Sequence, residues 1–345
     1  MMQKTSSYFA AALIAGLSFG TPSIAADDSR IALVPGGPHP YFGAWAQAGE
    51  DAARDFGLAG ADYRVPQKWE LSQQNQLLES LLSQGYNAFL IFPGDPVGSV
   101  STAEELSGFG APVMAGGGCF KDPSPAALCL GTDTGASAYE GTRKLIEAMK
   151  AKGDGPKRIA HFTGFLSDPN TQLRIDAVNR AAEEEGVEVV QTIADIDAPE
   201  AAEEKINAYL AAHSGDIDGI VTTAWVPAVA AAEALRQMGG DRIDMVGIDH
   251  DEAVLKAIKD GIVDGTMIQN PYGQAYIGAY VLDRLRSGCT IKADAPFKSN
   301  ALTDRFVDSG TAYVDASNAD SYIETMRGET KAIMDGFEAT YLDCQ

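Results

Sequence analysis

Side chains able to grip a small hydroxylated molecule recur at eight points along the chain, each just after a run of β-forming residues. These points are 36–42, 93–95, 116–120, 163–165, 194–197, 223–225, 249–251 and 269–271. They supply aromatics such as Tyr41, Phe42 and Trp225, carboxylates such as Asp249, amides such as Gln269, and the glycines Gly116, Gly117 and Gly118. Carboxylates and amides take pairs of hydroxyls, and aromatic faces take the C–H side of a sugar. No catalytic constellation competes with this reading. The three glycines lack the Lys-Ser/Thr that would follow in a phosphate loop. None of His39, His161, His213 and His250 lies in an HExxH motif, and no Gly-x-Ser-x-Gly elbow exists. Asp249-His250-Asp251 are neighbours in sequence and do not converge on one ion. No catalytic residue, metal or cofactor is expected.

Binding groups at strand ends need strands and helices to hold them. Short apolar runs at 31–34, 62–65, 88–92 and 112–115 alternate with amphipathic stretches, the first of which repeats Ala44, Ala48, Ala52 and Phe56 on one helical face. The continuous run 88–92, ending at Pro93-Gly94, fits a strand buried on both faces of a parallel sheet. The alternation restarts after Thr132, with strands at 158–162, 187–190, 219–222, 244–248 and 264–268, each followed by a helix. Repeated βα units imply parallel sheets covered by helices. Their number and the break over 131–157 predict two sheets; an eightfold βα barrel is the rival architecture. From Ala301 the pattern changes, and a helix is predicted from about 318 to 340. Ligands of open parallel sheets bind at the carboxyl ends of the strands, where the candidate groups lie.

The chain has 345 residues, enough for two domains, and a formal net charge of −22. Such acidity repels phosphate backbones and anionic lipid, so nucleic-acid and membrane-surface partners are excluded. Lys4, the apolar stretch 8–20 and the small residues of Ser23-Ile24-Ala25 read as a secretory leader over 1–25, cleaved near Ala25. Loss of Lys4 with the leader takes the charge from −22 to −23. Four cysteines in an exported chain predict two disulfides. Cys119 and Cys129 close a short loop containing Pro123 and Pro125, which leaves Cys289 for Cys344 near the end of the tail.

Several blocks, in this order and spacing, resemble the type I periplasmic binding proteins of the ribose-binding class, a family of sugar ABC transporter subunits. They include IALVPGGPHPYFGAWAQAGEDAARDFG, LLESLLSQGYNAFLIFPGDP, APVMAGGG, DMVGIDHDEAVLKAIKDG and GTMIQNPYGQAYIGAYVLDRL. The resemblance covers about 31–298. It implies an α/β fold of two Rossmann-like lobes with parallel sheets, joined by three hinge strands and closing on a ligand. The crossings would fall near Gly131-Thr132, Gln269-Asn270 and Lys298-Ser299. Lobe 1 would then be 27–131 with 270–298, lobe 2 would be 132–269 together with the tail, and 299–345 would hold the last hinge strand and that tail. The pairing of Cys289 with Cys344 would tie the tail to lobe 1.

Carried over by position, the family's ligand contacts fall on His39, Tyr41, Phe42, Arg174, Asp249 and Gln269. The family's Asp-Arg pair falls on Gly117 and Gly118, its lobe 2 stacking aromatic on Ile196, and its Asn-Asp pair on Ala224 and Trp225. These losses imply a ligand smaller or less hydroxylated than ribose or a hexose, with Trp225 stacking from another direction. Plainer roles compete: Asp249 as a helix cap, Arg174 as a surface residue, Tyr41 and Phe42 as core, Trp225 as packing between lobes, Gln269 as hinge alone. Trp69 is expected at the rim or surface. The implied protein is a periplasmic monomer that hands a small polyhydroxylated ligand to a permease in the inner membrane. A ligand-presenting sensor and an exported βα-barrel enzyme are the alternatives.

Overall fold

The computed structural model describes residues 29–344 apart from 154, 156 and 240–242; the leader expected over 1–25 lies outside the described residues. The first half folds as β1 (Arg30–Val34), α1 (Ala44–Phe56), β2 (Gly60–Tyr63), α2 (Leu71–Ser83), β3 (Ala88–Ile91), α3 (Val100–Gly108), β4 (Val113–Gly116) and β5 (Cys129–Gly131). The second half follows as α4 (Thr134–Ala151), β6 (Arg158–Phe162), α5 (Pro169–Glu184), β7 (Glu188–Ile193), α6 (Pro199–His213), β8 (Gly219–Thr222), α7 (Trp225–Met238), β9 (Asp244–Ile248), α8 (Glu252–Lys259) and β10 (Gly265–Gln269). The chain ends with α9 (Pro271–Arg286), β11 (Thr290–Ile291), β12 (Phe306–Asp308), β13 (Thr311–Val314), α10 (Tyr322–Tyr341) and β14 (Leu342–Asp343).

Two separate six-stranded sheets result, in the orders β12-β5-β4-β3-β1-β2 and β13-β10-β9-β8-β6-β7. All pairs of the first sheet are parallel; in the second only β13, lying against β10, is antiparallel. A single barrel is thereby excluded. The period of two along a strand explains why each sheet carries a core on both faces. In β1, Ile31 and Leu33 enter the core that faces α1 and α9, whereas Ala32 and Val34 enter the opposite one with Leu78 and Leu106. In the second sheet Ala160 and Phe162 serve one core and Ile159 the other.

Three chain crossings join the lobes: Gly131 to Thr134, Gln269 to Pro271, and Asp308 to Thr311. The third was expected near Lys298-Ser299 and lies instead at Ser309-Gly310. Lys298 and Phe306 exchange backbone hydrogen bonds at 2.9 and 3.0 Å, which folds the intervening loop back on itself. β12 then pairs with β5, so 306–308 extend the first sheet. The tail also departs from the expectation that it sits on lobe 2. Met326, in the first part of α10, joins the lobe 2 core, while Phe337 and Leu342 join the lobe 1 core. The last helix therefore runs across the hinge from one lobe to the other.

Buried polar groups bind the crossings together. Asn270 caps α9, accepting from Gly273 N–H at 2.8 Å, with Pro271 at the first helical position. Its Nδ2 donates to the Ser309 carbonyl at 2.8 Å and to Thr330 Oγ1 of α10 at 3.0 Å. Ser309 N–H reaches the Gly131 carbonyl at 2.8 Å, and Thr132 Oγ1 donates to Gly310 O at 3.2 Å. One asparagine thus touches its own crossing, the third crossing and the tail.

Cys119 pairs with Cys129, and Cys289 with Cys344. The second bond spans 55 residues and sits beside the β11–β14 pair, pinning the tail to lobe 1. A loop of that length is worth about 4 kcal/mol in the chain-entropy model. Cys289→Ser/Cys344→Ser is expected to lose on the order of 2–4 kcal/mol in urea unfolding. Its α10 amides should exchange before those of β1 and β3. Equal stability of variant and parent would show that the tail is held by packing alone.

Candidate ligand-binding site

The carboxyl ends of the two sheets face each other across a cleft of about 540 Å³, with the three crossings at its back. Lobe 1 builds its wall from aromatics. After β1 the chain enters a single helical turn, Pro40–Gly43, capped by His39, whose Nδ1 accepts from Tyr41 N–H at 3.2 Å. In the neutral ring that bond leaves the proton on Nε2, which is buried without a hydrogen-bond partner. Phe42 meets Phe92 edge to face at 5.1 Å, and Trp69 meets Phe92 at 5.6 Å. Tyr41 lines the same wall, but its hydroxyl accepts from Gln274 Nε2 at 2.8 Å; that amide also donates to Ser309 Oγ at 3.2 Å. Burial drives the Tyr41 phenol well above its usual pKa, so it stays a hydroxyl.

Lobe 2 supplies the charge. Asp168 caps α5, accepting from Asn170 N–H at 2.9 Å, and the next turns of the helix point Thr171 and Arg174 at the cleft. Arg174 is buried with its Nε unpartnered, and Thr171 Oγ1 is likewise buried and unpartnered. Asp197 follows β7. Its Oδ1 accepts from Val226 N–H at 3.2 Å, and its Oδ2 lies 3.7 Å from His39 Nε2 of the opposite lobe.

Asp249 follows β9 with φ 68°, a left-handed conformation that costs a non-glycine residue on the order of 1–2 kcal/mol. It is 3% exposed, and its Oδ1 accepts from Gln269 Nε2 at 2.9 Å. Burial pushes its carboxyl up to about 6, against the opposing pull of the Gln269 hydrogen bond and the Arg174 charge. Burial likewise raises Asp168, with Arg174 pulling the other way. Behind this wall His161 is held neutral by burial, its pKa lowered to about 3, and it hydrogen-bonds Thr223 at 2.7 Å.

All nine residues singled out in the sequence line this one cleft: His39, Tyr41, Phe42, Gly117, Gly118, Arg174, Trp225, Asp249 and Gln269. Competing plainer roles are also realised in part. Tyr41 and Phe42 belong to the lobe 1 core, and Trp225 packs into that core while its Nε1 donates to Asp251 Oδ2 at 3.0 Å. The helix-cap role proposed for Asp249 falls to Asp251, which accepts from Ala253 N–H at 2.8 Å. Ile196 is fully buried in the lobe 2 core, and its neighbour Asp197 faces the cleft instead. Trp69 stands at the rim, 45% exposed. Phe92, Asp168 and Thr171 were not singled out. Phe92 looked like the last residue of a buried strand, and Asp168 was legible only as an Asp-Pro helix start.

Residues 31–289 match the family model of a periplasmic binding protein domain. Over 249 residues the chain is 26% identical to the xylitol-binding protein of Mycolicibacterium smegmatis, covering 71% of this chain and 69% of that protein. It superimposes on an ABC transporter solute-binding protein from Burkholderia graminis, solved in complex with D-arabinose, with a TM-score of 0.72 and 23% identity over 85% of this chain and 96% of the other. A sugar-binding protein of a sugar ABC transporter from Bacillus halodurans gives a TM-score of 0.73 at 21% identity, over 85% and 99% of the two chains. At these identities the structural likeness is one of fold.

The position of Asp249 has a consequence for stability. An acid raised from 3.8 to about 6 binds its proton more tightly folded than unfolded. Its stabilising contribution is complete below about pH 4 and is lost as pH rises through 6, a difference on the order of 3 kcal/mol. Ligand-free Asp249→Asn is therefore expected to be more stable than the parent at pH 7.5, with the gap narrowing toward pH 4. Thermal unfolding over that range measures it; parallel pH profiles for the two proteins would remove the assignment.

Proposed function

The chain belongs to the periplasmic binding protein family, and from that premise we propose that it is the solute-binding component of an ABC importer, capturing a neutral monosaccharide or small polyol between its lobes. One observation carries this reading. Three buried polar atoms without a hydrogen-bond partner, His39 Nε2, Thr171 Oγ1 and Arg174 Nε, belong to residues that line one cleft from both lobes. A buried donor left unpaired costs about 1–3 kcal/mol, more when charged, and a hydroxyl-rich ligand satisfies such groups. Lobe 1 brings aromatic faces for C–H groups, and lobe 2 brings carboxylates for hydroxyls. The carboxylates Asp168, Asp197 and Asp249 against the single guanidinium of Arg174 disfavour sugar acids and sugar phosphates. The xylitol-binding relative and the neighbour in complex with D-arabinose are consistent with a ligand of this size.

The placement of the candidate contacts on both lobes supports binding rather than catalysis. These contacts sit on two lobes joined by three crossings and the last helix, so a bound ligand favours the closed arrangement over any open one. The closed face is what a permease in the inner membrane would read. The leader over 1–25 exports a monomer to the periplasm, and two disulfides suit that oxidising compartment.

Calorimetry of the mature protein against pentoses, pentitols, tetritols, hexoses, cyclitols, sugar acids and sugar phosphates tests the reading. A neutral member is expected to bind with micromolar or better affinity, and saturating it should lower the radius of gyration in small-angle scattering. Arg174→Ala should weaken that binding ten- to a hundredfold, the loss of a charge-assisted hydrogen bond of about 1.5–3 kcal/mol. Failure of every neutral member to bind, or tighter binding of an anionic one, would overturn the proposal.

A further inference from the structure

We propose that Phe92, seated on the Gly117-Gly118 step, is the specificity-determining residue of the cleft, selecting sugars and polyols that present a hydroxyl-free edge to lobe 1. The inference rests on the sugar or polyol reading above and specifies the ligand further. Its basis is steric. A Cβ placed on Gly118 would lie 2.9 Å from Phe92 Cε2 and 3.0 Å from Cζ, and one on Gly117 would lie 3.0 Å from Cδ2. The 2.9 Å approach is closer than a Cβ normally comes and the 3.0 Å ones are tight enough that the ring would have to shift, and Gly117 also has φ 77°. The ring therefore lies directly on the backbone at the end of β4, where any side chain at 117 or 118 would stand. Phe42 and Trp69 grip it edge to face, with interplanar angles of 70° and 71°. Three neighbours fix it, so it cannot swing away to admit a polar group.

The chemistry of that wall follows. The nearest lobe 1 carboxylate in the cleft, Asp95, uses Oδ1 to accept from Val97 and Gly98 N–H at 2.9 and 2.8 Å. His39 Nε2 is the unsatisfied polar atom that lobe 1 turns to the cleft; the other acceptors and donors aimed at a ligand are on lobe 2. A hydroxyl pressed against the Phe92 ring when the lobes close would lose its water and find no partner. A hydrogen or methyl at the same place gains apolar contact instead. An aromatic wall supported by two glycines thus disfavours an added hydroxyl, by up to about a hundredfold.

Matched series isolate the effect: D-arabinose, 6-deoxy-L-galactose and L-galactose share one ring and carry hydrogen, methyl and hydroxymethyl at C5. D-xylose, 6-deoxy-D-glucose and D-glucose form a second series, and xylitol and sorbitol a linear pair. In the series that binds, the parent protein is expected to prefer the hydrogen or methyl member over the hydroxymethyl member at least tenfold. Phe92→Ala should bring that ratio below threefold. Phe92→Leu, which keeps the core filled but removes the ring tip, should reduce it at least threefold and decides the matter if the alanine variant does not fold. A parent ratio near one, or a ratio unchanged in the variants while binding persists, would overturn this inference and leave the sugar reading standing. No binding of any member to the parent would overturn both.

Discussion

Asn270 spends its whole amide on keeping two lobes and a tail in one arrangement. Its oxygen caps the helix that begins lobe 1's return, and its nitrogen holds the third crossing at Ser309 and the tail at Thr330. The groups are buried, so each is costly to leave unmade, and their geometry is correspondingly narrow. Gln274 extends the same network from Ser309 to the Tyr41 hydroxyl on the cleft wall. The hinge and the binding surface therefore share hydrogen bonds. Removing a polar partner at the back of the cleft would change how its front is presented.

A second economy appears at the helix starts. Asp168 and Asp251 cap the helices that follow β6 and β9, and Asn270 caps the one after β10. In a parallel sheet the helix after a strand begins at the strand's carboxyl end, so capping and ligand contact are asked of the same few residues. Asp168 lines the cleft while it caps, and Asp251 orients Trp225 while it caps. Asp249 stands apart from this pattern. It caps nothing, holds a left-handed backbone and stays buried with a raised pKa. Strain and desolvation at one residue are what a poised binding group looks like.

The two walls differ in kind. Lobe 1 presents packed rings whose positions are set by one another, a rigid apolar surface. Lobe 2 presents carboxylates together with Arg174 and Thr171, whose Nε and Oγ1 are buried without a hydrogen-bond partner. The last helix adds a constraint to closure: one part of it packs in the lobe 2 core and the other in the lobe 1 core, with Thr330 between them at the hinge.

Much of this was legible in the amino-acid order because it depends on local repetition. Strands such as 31–34 and 88–91, buried on both faces, declare a parallel sheet by their unbroken apolarity. Once the strands are known, the rule that ligands sit at their carboxyl ends nominates His39, Phe42, Asp249 and Gln269 without any coordinates, and the family resemblance adds Arg174. What the order of residues could not decide was set by contacts between distant segments. β5 and β12 are three residues each, too short for a period, and exist because they pair with one another; that pairing moved the third crossing to Ser309-Gly310. Phe92 reads as strand until Gly117 and Gly118 make room for its ring in the cleft. Asp197 rather than Ile196 faces the cleft because of how the chain turns after β7. Periodicity is written residue by residue, whereas which side chain is left unpaired at an interface between lobes is settled only when both lobes are in place.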